Sequence, residues 1–419
     1  MDSRILVVSN EALTEQSSNG RTLLNFLKEI PAENVAQFCL RGTPEADRCA
    51  AFYRVSDKDA LNALLMKRKG AANQVAESRT DPSQPREKRR SCKNLCLRDL
   101  VWRSYRWWDK AFTAFLDDFA PTVLLFQAGD APFMFEIAMR IARRCRIPIV
   151  MYNSENYVLK YKLFSGANPN SIWHWALKSS LRHSYKHIMG RVSYCIYSTE
   201  YLENCYQQAY PHPGKSTTFY TVSDLQPLPA GDEAGDFTLL YCGNLGVGRV
   251  PPLCEMAQVL HETDPRARLE VYGKFLNQEE QDRLCANPNV SYGGMVPYSQ
   301  IPELMRNASM LIHCENTDRF ENLKGAFSTK IADSLACGRP FLVYADRAFP
   351  FVQYLMKHDC AHVAATSEEL KTVLQRCVAD QSYRFRYVQR ALETARENHS
   401  TYSSCEKMEA ILTHVESKQ

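Results

Sequence analysis

The chain has 419 residues, enough for two domains of about 200 each, and its 45% hydrophobic content lets each half bury its own core. No run of about 18 apolar residues occurs, which argues against a spanning helix, and the start MDSRILVVS runs straight into a short strand, which argues against a signal peptide. Net charge is +4, but residues 67–110 hold thirteen Lys/Arg and five Asp/Glu, so this stretch is +8 and the rest −4, a patch suited to nucleic acid, an anionic membrane surface or an acidic substrate.

In chain order, the first strand is RILVVS at 4–9. A polar loop ending Ser17-Ser18-Asn19-Gly20 leads into a helix at 21–30, and 36–40 is a second strand. Residues 67–95 are polar, basic and without periodicity, and read as a long loop. A helix is expected over 97–119, with Leu97, Leu100, Val101, Trp108, Phe112 and Phe119 at helical spacing. Pro121 ends it, and VLLF at 123–126 is a buried strand. Helix 132–146, strand 147–152 and the loop Tyr152–Tyr157 follow, then a helical stretch with Trp173 and Trp175, strand 193–197, and a helix at 199–209 that Ser198 is placed to cap. VSDLQPLPAGDEAGD at 222–236 is rich in Pro, Gly and Asp, as an interdomain linker is. The second half restarts the rhythm: strands at 237–242, 268–272, 289–291, 309–313 and 340–344 alternate with helices, and 367–415 is helical. Alternation of this kind predicts two parallel α/β layers, with domains at 1–225 and 236–395 and a helix at 396–419 returning toward the first domain.

Two segments carry chemistry. In Leu239-Leu240-Tyr241-Cys242-Gly243-Asn244-Leu245-Gly246-Val247-Gly248-Arg249 a strand ends in a glycine-rich turn ahead of a helix that opens at Pro251. Glycines let backbone N–H groups approach an anion, the helix N-terminus adds its dipole, and Arg249 offers a forked donor for phosphate. Taken alone, the segment also reads as an ordinary strand-to-helix turn with a solvated Arg. In FSTKIADSLACGRP at 327–340, Ser328, Thr329 and Lys330 open a helix, Asp333 lies one turn in, Gly338 is the C-cap and Pro340 the stop. Taken alone, this segment also reads as a capped helix whose Asp and Lys face water.

YCGNLGVGR, VYGKF, YGGMVPYSQIPELM and FSTKIADSLACGRP, in this order across 237–345, resemble the C-terminal domain of GT-B glycosyltransferases, and more narrowly the retaining bacterial family four that builds capsular and exopolysaccharides. The resemblance implies an α/β GT-B fold, two Rossmann-like domains facing each other across a cleft. It implies that Arg249 holds the donor diphosphate in the turn of Gly243, Asn244 and Gly248. Gly273 and Lys274 would lie beside the nucleotide, Met295 and Val296 would meet the base, Ser328, Thr329 and Lys330 would hold phosphate, and Asp333 the ribose. Of the family's two glutamates eight residues apart, one position is Asp333 and the other Gly325, which leaves Glu315 and Glu321 as candidates for the donor-sugar contact. The Arg/Lys pair usual near the turn is reduced to Arg249.

In the first half, Ser17–Gly20 occupies the place of the family's glycine loop, with Gly20 against the donor. Gln127-Ala128-Gly129-Asp130 follows a buried strand, and YNSENY at 152–157 resembles the NTEGY segment of exopolysaccharide members. Asp130 and Glu155 are thus acids at C-terminal strand ends, where ligands collect in open α/β sheets. With Arg249 and Lys330 they form the expected catalytic set.

No metal is expected: Asp57-Lys58-Asp59 fits a DxD pattern but stands in a poorly defined region, no HxxxH pair occurs, and His174, His183 and His187 read as surface cover. The 15 cysteines include no CxxC pair, and Cys195, Cys242, Cys254, Cys314 and Cys337 sit in apolar runs, as thiols in a reducing compartment do. The sequence therefore reads as a cytoplasmic enzyme, peripheral on the membrane, with no cofactor beyond its nucleoside diphosphate sugar, a glycan or lipid-linked acceptor, an anionic membrane contact through 67–110 in which Trp102 and Trp107 sit at headgroup level, and no nucleic acid. A non-catalytic protein of the same fold and a nucleotide-sugar epimerase are the alternatives.

Overall fold

The computed structural model describes residues 3–66, 90–164, 166–212, 214–228, 235–316 and 323–418. The chain divides into two compact units, Met1–Phe219 with Ser404–Gln419, and Tyr220–Ser403.

In the first unit, β1 (Ile5–Glu11), β2 (Val35–Arg41), β3 (Ala51–Arg54), β4 (Val123–Ala128), β5 (Ile149–Asn153), β6 (Val192–Tyr197) and β7 (Lys215–Thr218) form one sheet in the order β3-β2-β1-β4-β5-β6-β7, parallel throughout. In the second, β8 (Thr238–Cys242), β9 (Arg268–Tyr272), β10 (Val290–Gly294), β11 (Met310–Cys314), β12 (Phe341–Tyr344) and β13 (His362–Ala364) follow the order β10-β9-β8-β11-β12-β13, also parallel. Strands such as VLLFQA and MLIHC are buried along their length and mostly apolar, as strands covered on both faces are. In each sheet the order reverses once, between β1 and β4 and between β8 and β11. Ligands of open α/β sheets bind outside the carboxyl ends at such reversals.

The first sheet buries one face against Phe112, Phe135 and Tyr185 and the other against Leu23, Phe26 and the C-terminal helix Thr401–Glu416. That helix contributes Met408, Ile411, Leu412 and Val415, each worth roughly 1.5–3 kcal/mol on burial. Residues 222–228, expected in an interdomain linker, belong to the second unit, which begins at Tyr220: Ser223 N–H donates to His399 O at 2.9 Å and Leu228 N–H to Cys337 O at 2.8 Å.

The helix expected over 97–119 is two helices, Cys92–Arg103 and Lys110–Phe119. Tyr105 takes a left-handed φ of 53° between them, and Asp109 caps the second through its bond from Phe112 N at 2.9 Å. The break turns Trp107 inward onto Phe38, while Trp102 stacks on Phe133 at 4.8 Å. Both indoles are buried, so neither reaches a membrane surface as expected. His174 is also buried, unlike His183 and His187. Thr199, not Ser198, caps the helix Glu200–Ala209. Asp59 completes a capping box with Ser56, and Asp57 accepts from Arg98 Nε and Trp102 Nε1 at 2.6 and 2.8 Å, so each carboxylate of the DxD pattern has a structural partner. Residues 67–89 lie outside the described residues. Among those described, no helix is long and apolar enough to cross a membrane.

Candidate active site

In the second unit the site grows from the sheet reversal between β8 and β11. The ends of β8 and β9 approach so closely that side chains are excluded. Gly243 N–H donates to Tyr272 O at 2.8 Å, and Gly273, at φ +150°, would place a Cβ 1.8 Å from Gly243 O. Asn244 folds its side chain back to accept from Gly246 N–H at 2.9 Å, and Gly248 takes a left-handed φ of 85° just before the helix Val250–Thr263.

Arg249 does not project from this turn. It is buried, and its guanidinium is engaged on every side. Nε donates to Glu315 Oε2 at 3.1 Å, Nη2 to Glu315 Oε1, and Nη1 to Asn244 O at 3.3 Å and Tyr241 OH at 3.4 Å. His313 Nε2 lies 3.2 Å from the same Glu315 oxygen. Burial opposes each charge here. For Glu315 the bonds from His313 and Arg249 outweigh burial and hold its carboxyl below the usual range. For Arg249 the Glu315 bond outweighs burial and holds the guanidinium charged. For His313 burial wins and pushes the imidazole below its usual range. Glu315, a candidate for the sugar contact, is thus occupied as the group that fixes Arg249. Glu321 lies outside the described residues.

Lys330 differs. It lies in the first turn of the helix Thr329–Ala336, and its Cε is 3.2 Å from where a Gly243 side chain would begin. Burial lowers its affinity for the proton and neighbouring Arg249 adds repulsion, with Asp333 acting in the other direction. Among the described residues no carboxylate forms an ion pair with it. A half-buried cation beside a glycine turn and a helix N-terminus is an arrangement that favours an arriving anion. Ser328 takes the N-cap position without using its hydroxyl for a cap bond, and Thr329 is exposed. Asp333 accepts from Ser223 Oγ at 2.6 Å and Tyr298 OH at 3.2 Å. Tyr298 belongs to the loop after β10 that also carries the exposed Met295 and the partly covered Val296, while Lys274 is exposed at the end of β9. Gly243, Lys330, Asp333 and this loop therefore converge; Arg249 supports them from below.

In the first unit, Gly20 is fixed by crowding: a Cβ there would meet Ala12 O at 2.5 Å and Thr14 O at 2.6 Å. Asp130, after β4, pairs with Arg90 at 3.1 Å. Glu155, after the adjacent β5, has its carboxyl raised by burial, with Lys160 lowering it and Asp130 raising it further. Sequence reasoning missed His313, Tyr241, Ser223, Tyr298 and Lys160. The signal for the first was present: His313 and Glu315 stand two apart at the end of an apolar strand, which puts both on one face.

A family model described as glycosyl transferase-like matches residues 251–410. No curated protein matches the chain. Among solved structures, HepE of Anabaena in complex with UDP has a TM-score of 0.65 at 12% identity, covering 98% of this chain and 99% of its own. Sucrose-phosphate synthase of Thermosynechococcus elongatus has 0.63 at 12%, covering 100% of both. WaaG, a glycosyltransferase involved in lipopolysaccharide biosynthesis, has 0.57 at 14%, covering 98% and 99%. The fold is GT-B. Its two Rossmann-like domains are the two parallel sheets described above, and the glycosyl transferase-like match covers most of the second.

Proposed function

We propose that the chain transfers a sugar from a nucleoside diphosphate sugar to a glycan acceptor. The observation that carries this reading is Lys330, a half-buried ammonium at the Gly243 turn with no carboxylate ion-paired to it among the described residues. A leaving diphosphate supplies the charge that such a cation and the adjoining helix N-terminus stabilise. Asp333, held by the Ser223 and Tyr298 hydroxyls, is assigned to the ribose. The glycosyl transferase-like match and the GT-B neighbours, among them HepE in complex with UDP and with UDP-glucose, support the same chemistry. Asp130 and Glu155 are assigned to the acceptor or donor sugar in the first unit.

The reading extends to transfer with retention, to a lipid-linked acceptor in capsular or exopolysaccharide synthesis as in family four, and to an anionic membrane contact through 67–110. These rest on the motif resemblance and the +8 charge of that stretch. The test is a thermal-shift screen against nucleoside diphosphates and their sugars, followed by donor hydrolysis. Binding at a hundred times Kd raises stability by about 2.7 kcal/mol. No shift with any nucleotide overturns the reading. Binding without any turnover of a bound donor favours a non-catalytic protein of the same fold, a reading that Gly325 in place of a glutamate supports.

A further inference from the structure

All nine exposed large apolar side chains among the described residues of the first unit fall on three neighbouring stretches: the helix Asp57–Leu64 with the two residues after it, the helix Cys92–Arg103, and the helix Ile172–Met189 with Tyr161 just ahead of it. The middle helix ties them together. Arg98 Nε donates to Asp57 at 2.6 Å, Arg103 Nη2 donates to Ser184 Oγ at 2.8 Å, and Cys96 Sγ contacts Trp173 O at 3.5 Å. Ile172 and Trp175 are 73% and 68% exposed, and Leu100 is 66% exposed. Exposed apolar side chains gathered in this way mark an interaction surface.

Around Ile172 the charge of this face has one sign, while Asp57, Asp59 and Asp99 lie on the other two helices. From Asn156 to Thr199 the sequence contains no Asp or Glu, but it has six Lys/Arg, including Lys178, Arg182 and Lys186 along the helix. On that helix Trp175, Ser179, Arg182 and Lys186 share an exposed stripe opposite the buried Leu177, Leu181 and Ile188. Lys93 Nζ lies 6.0 Å from the Trp173 ring, and Lys178 donates to Tyr161 O at 2.9 Å, so cations border the aromatic side chains.

We propose that this face, centred on Ile172, Trp173 and Trp175 with Leu97 and Leu100, lies on an anionic lipid bilayer. Indole rings prefer the headgroup level, aliphatic tips enter the acyl boundary, and Lys/Arg meet lipid phosphates. The aliphatic members decide against nucleic acid, because Ile and Leu offer neither a stacking plane nor a hydrogen bond to a base. The proposal deepens the membrane contact named above and moves its apolar part from Trp102 and Trp107 to the Ile172 end of the unit.

The test is co-sedimentation of the full chain with phosphatidylcholine vesicles, with and without phosphatidylglycerol. Wild type is expected to bind only the anionic vesicles, with a blue shift in Trp emission and weaker binding in high salt. Ile172→Ser with Trp175→Ser, both at exposed sites, is expected to weaken binding at least about tenfold at unchanged melting temperature. Lys178→Gln, Arg182→Gln and Lys186→Gln together are expected to weaken it by about a hundredfold. If wild type binds and these variants match it, while Arg86→Gln, Lys88→Gln and Arg89→Gln abolish binding, the face is wrong and the contact through 67–110 stands. If wild type ignores anionic vesicles, both fall. Release by competing RNA with unchanged vesicle binding in the variants, or a concentration-dependent dimer that Trp175→Ser makes monomeric without altering vesicle binding, also overturns it. Donor hydrolysis in the same preparations reports on glycosyl transfer separately.

Discussion

Arg249→Ala is expected to destabilise the second unit before it says anything about catalysis. The side chains of Arg249 and Glu315 are only 9% and 5% exposed, and they meet through two hydrogen bonds. Removing one partner of such a pair leaves the other charge buried and uncompensated, which costs about 3–5 kcal/mol. For a unit of about 180 residues each kcal/mol moves the melting point by about 2–4 °C, so a fall of roughly 6–20 °C follows. Arg249→Met combined with Glu315→Leu removes both charges and is expected to regain most of that loss. All five Trp lie in the first unit, so Trp emission does not report on the second. The assay is therefore urea unfolding followed by far-ultraviolet circular dichroism, with Trp emission recorded alongside. If Arg249→Ala unfolds within about 1 kcal/mol of wild type, as removal of a surface pair would do, the buried clamp is not what the geometry indicates.

The other expectations are briefer. Lys330→Ala should weaken nucleoside diphosphate binding by about 10- to 150-fold, from the loss of charge-assisted bonds worth about 1.5–3 kcal/mol, with the melting point unchanged or raised; equal Kd values by calorimetry would count against the phosphate assignment. Gly273→Ala should distort the Gly243 turn and cost roughly 1–3 kcal/mol along with nucleotide binding, as seen in melting and titration. His313 has a folded pKa below its usual 6.5, so the unfolded chain takes up its proton first as pH falls; stability should decline from about pH 6.5 downward, with Glu315 adding to the loss below about 4.5, and His313→Gln should flatten the upper part of that curve. Buried His362 titrates in the same direction, so the comparison with wild type carries the test. Activity should survive EDTA, because cations and dipoles at the turn do the work of a metal; loss that Mg²⁺ or Mn²⁺ restores would refute this.

Alternation of apolar strands and capped helices made both sheets legible from the sequence, because buried parallel strands carry nearly unbroken apolar runs. The glycine turn was legible for a similar reason, since close backbone approach at Gly243 and Gly273 tolerates no side chain. The break at Tyr105 was not, because apolar residues from two successive helices mimic one helical stripe; only Asp109, placed to cap, marked the second start. Nor was the direction of Arg249. A forked cation in a glycine turn reads as aimed at phosphate, and only the approach of β11, 66 residues later in sequence, supplies the carboxylate that turns it inward.

That inward turn changes how the electrostatics of the site work. Arg249 is engaged by Glu315, so it fixes the Asn244 carbonyl and the turn above it rather than projecting toward a ligand. Lys330, by contrast, is held in a partly desolvated place where burial and Arg249 both oppose its charge. An anion entering beside Gly243 removes that opposition, whereas an uncharged ligand does not. Under the proposed function, selectivity for a diphosphate comes from this unfavourable position of Lys330, and the Arg249–Glu315 pair serves it by fixing the neighbouring turn through the Asn244 carbonyl. Such preorganisation is most effective where the charge develops on the leaving group, which is the requirement of glycosyl transfer from a nucleoside diphosphate sugar.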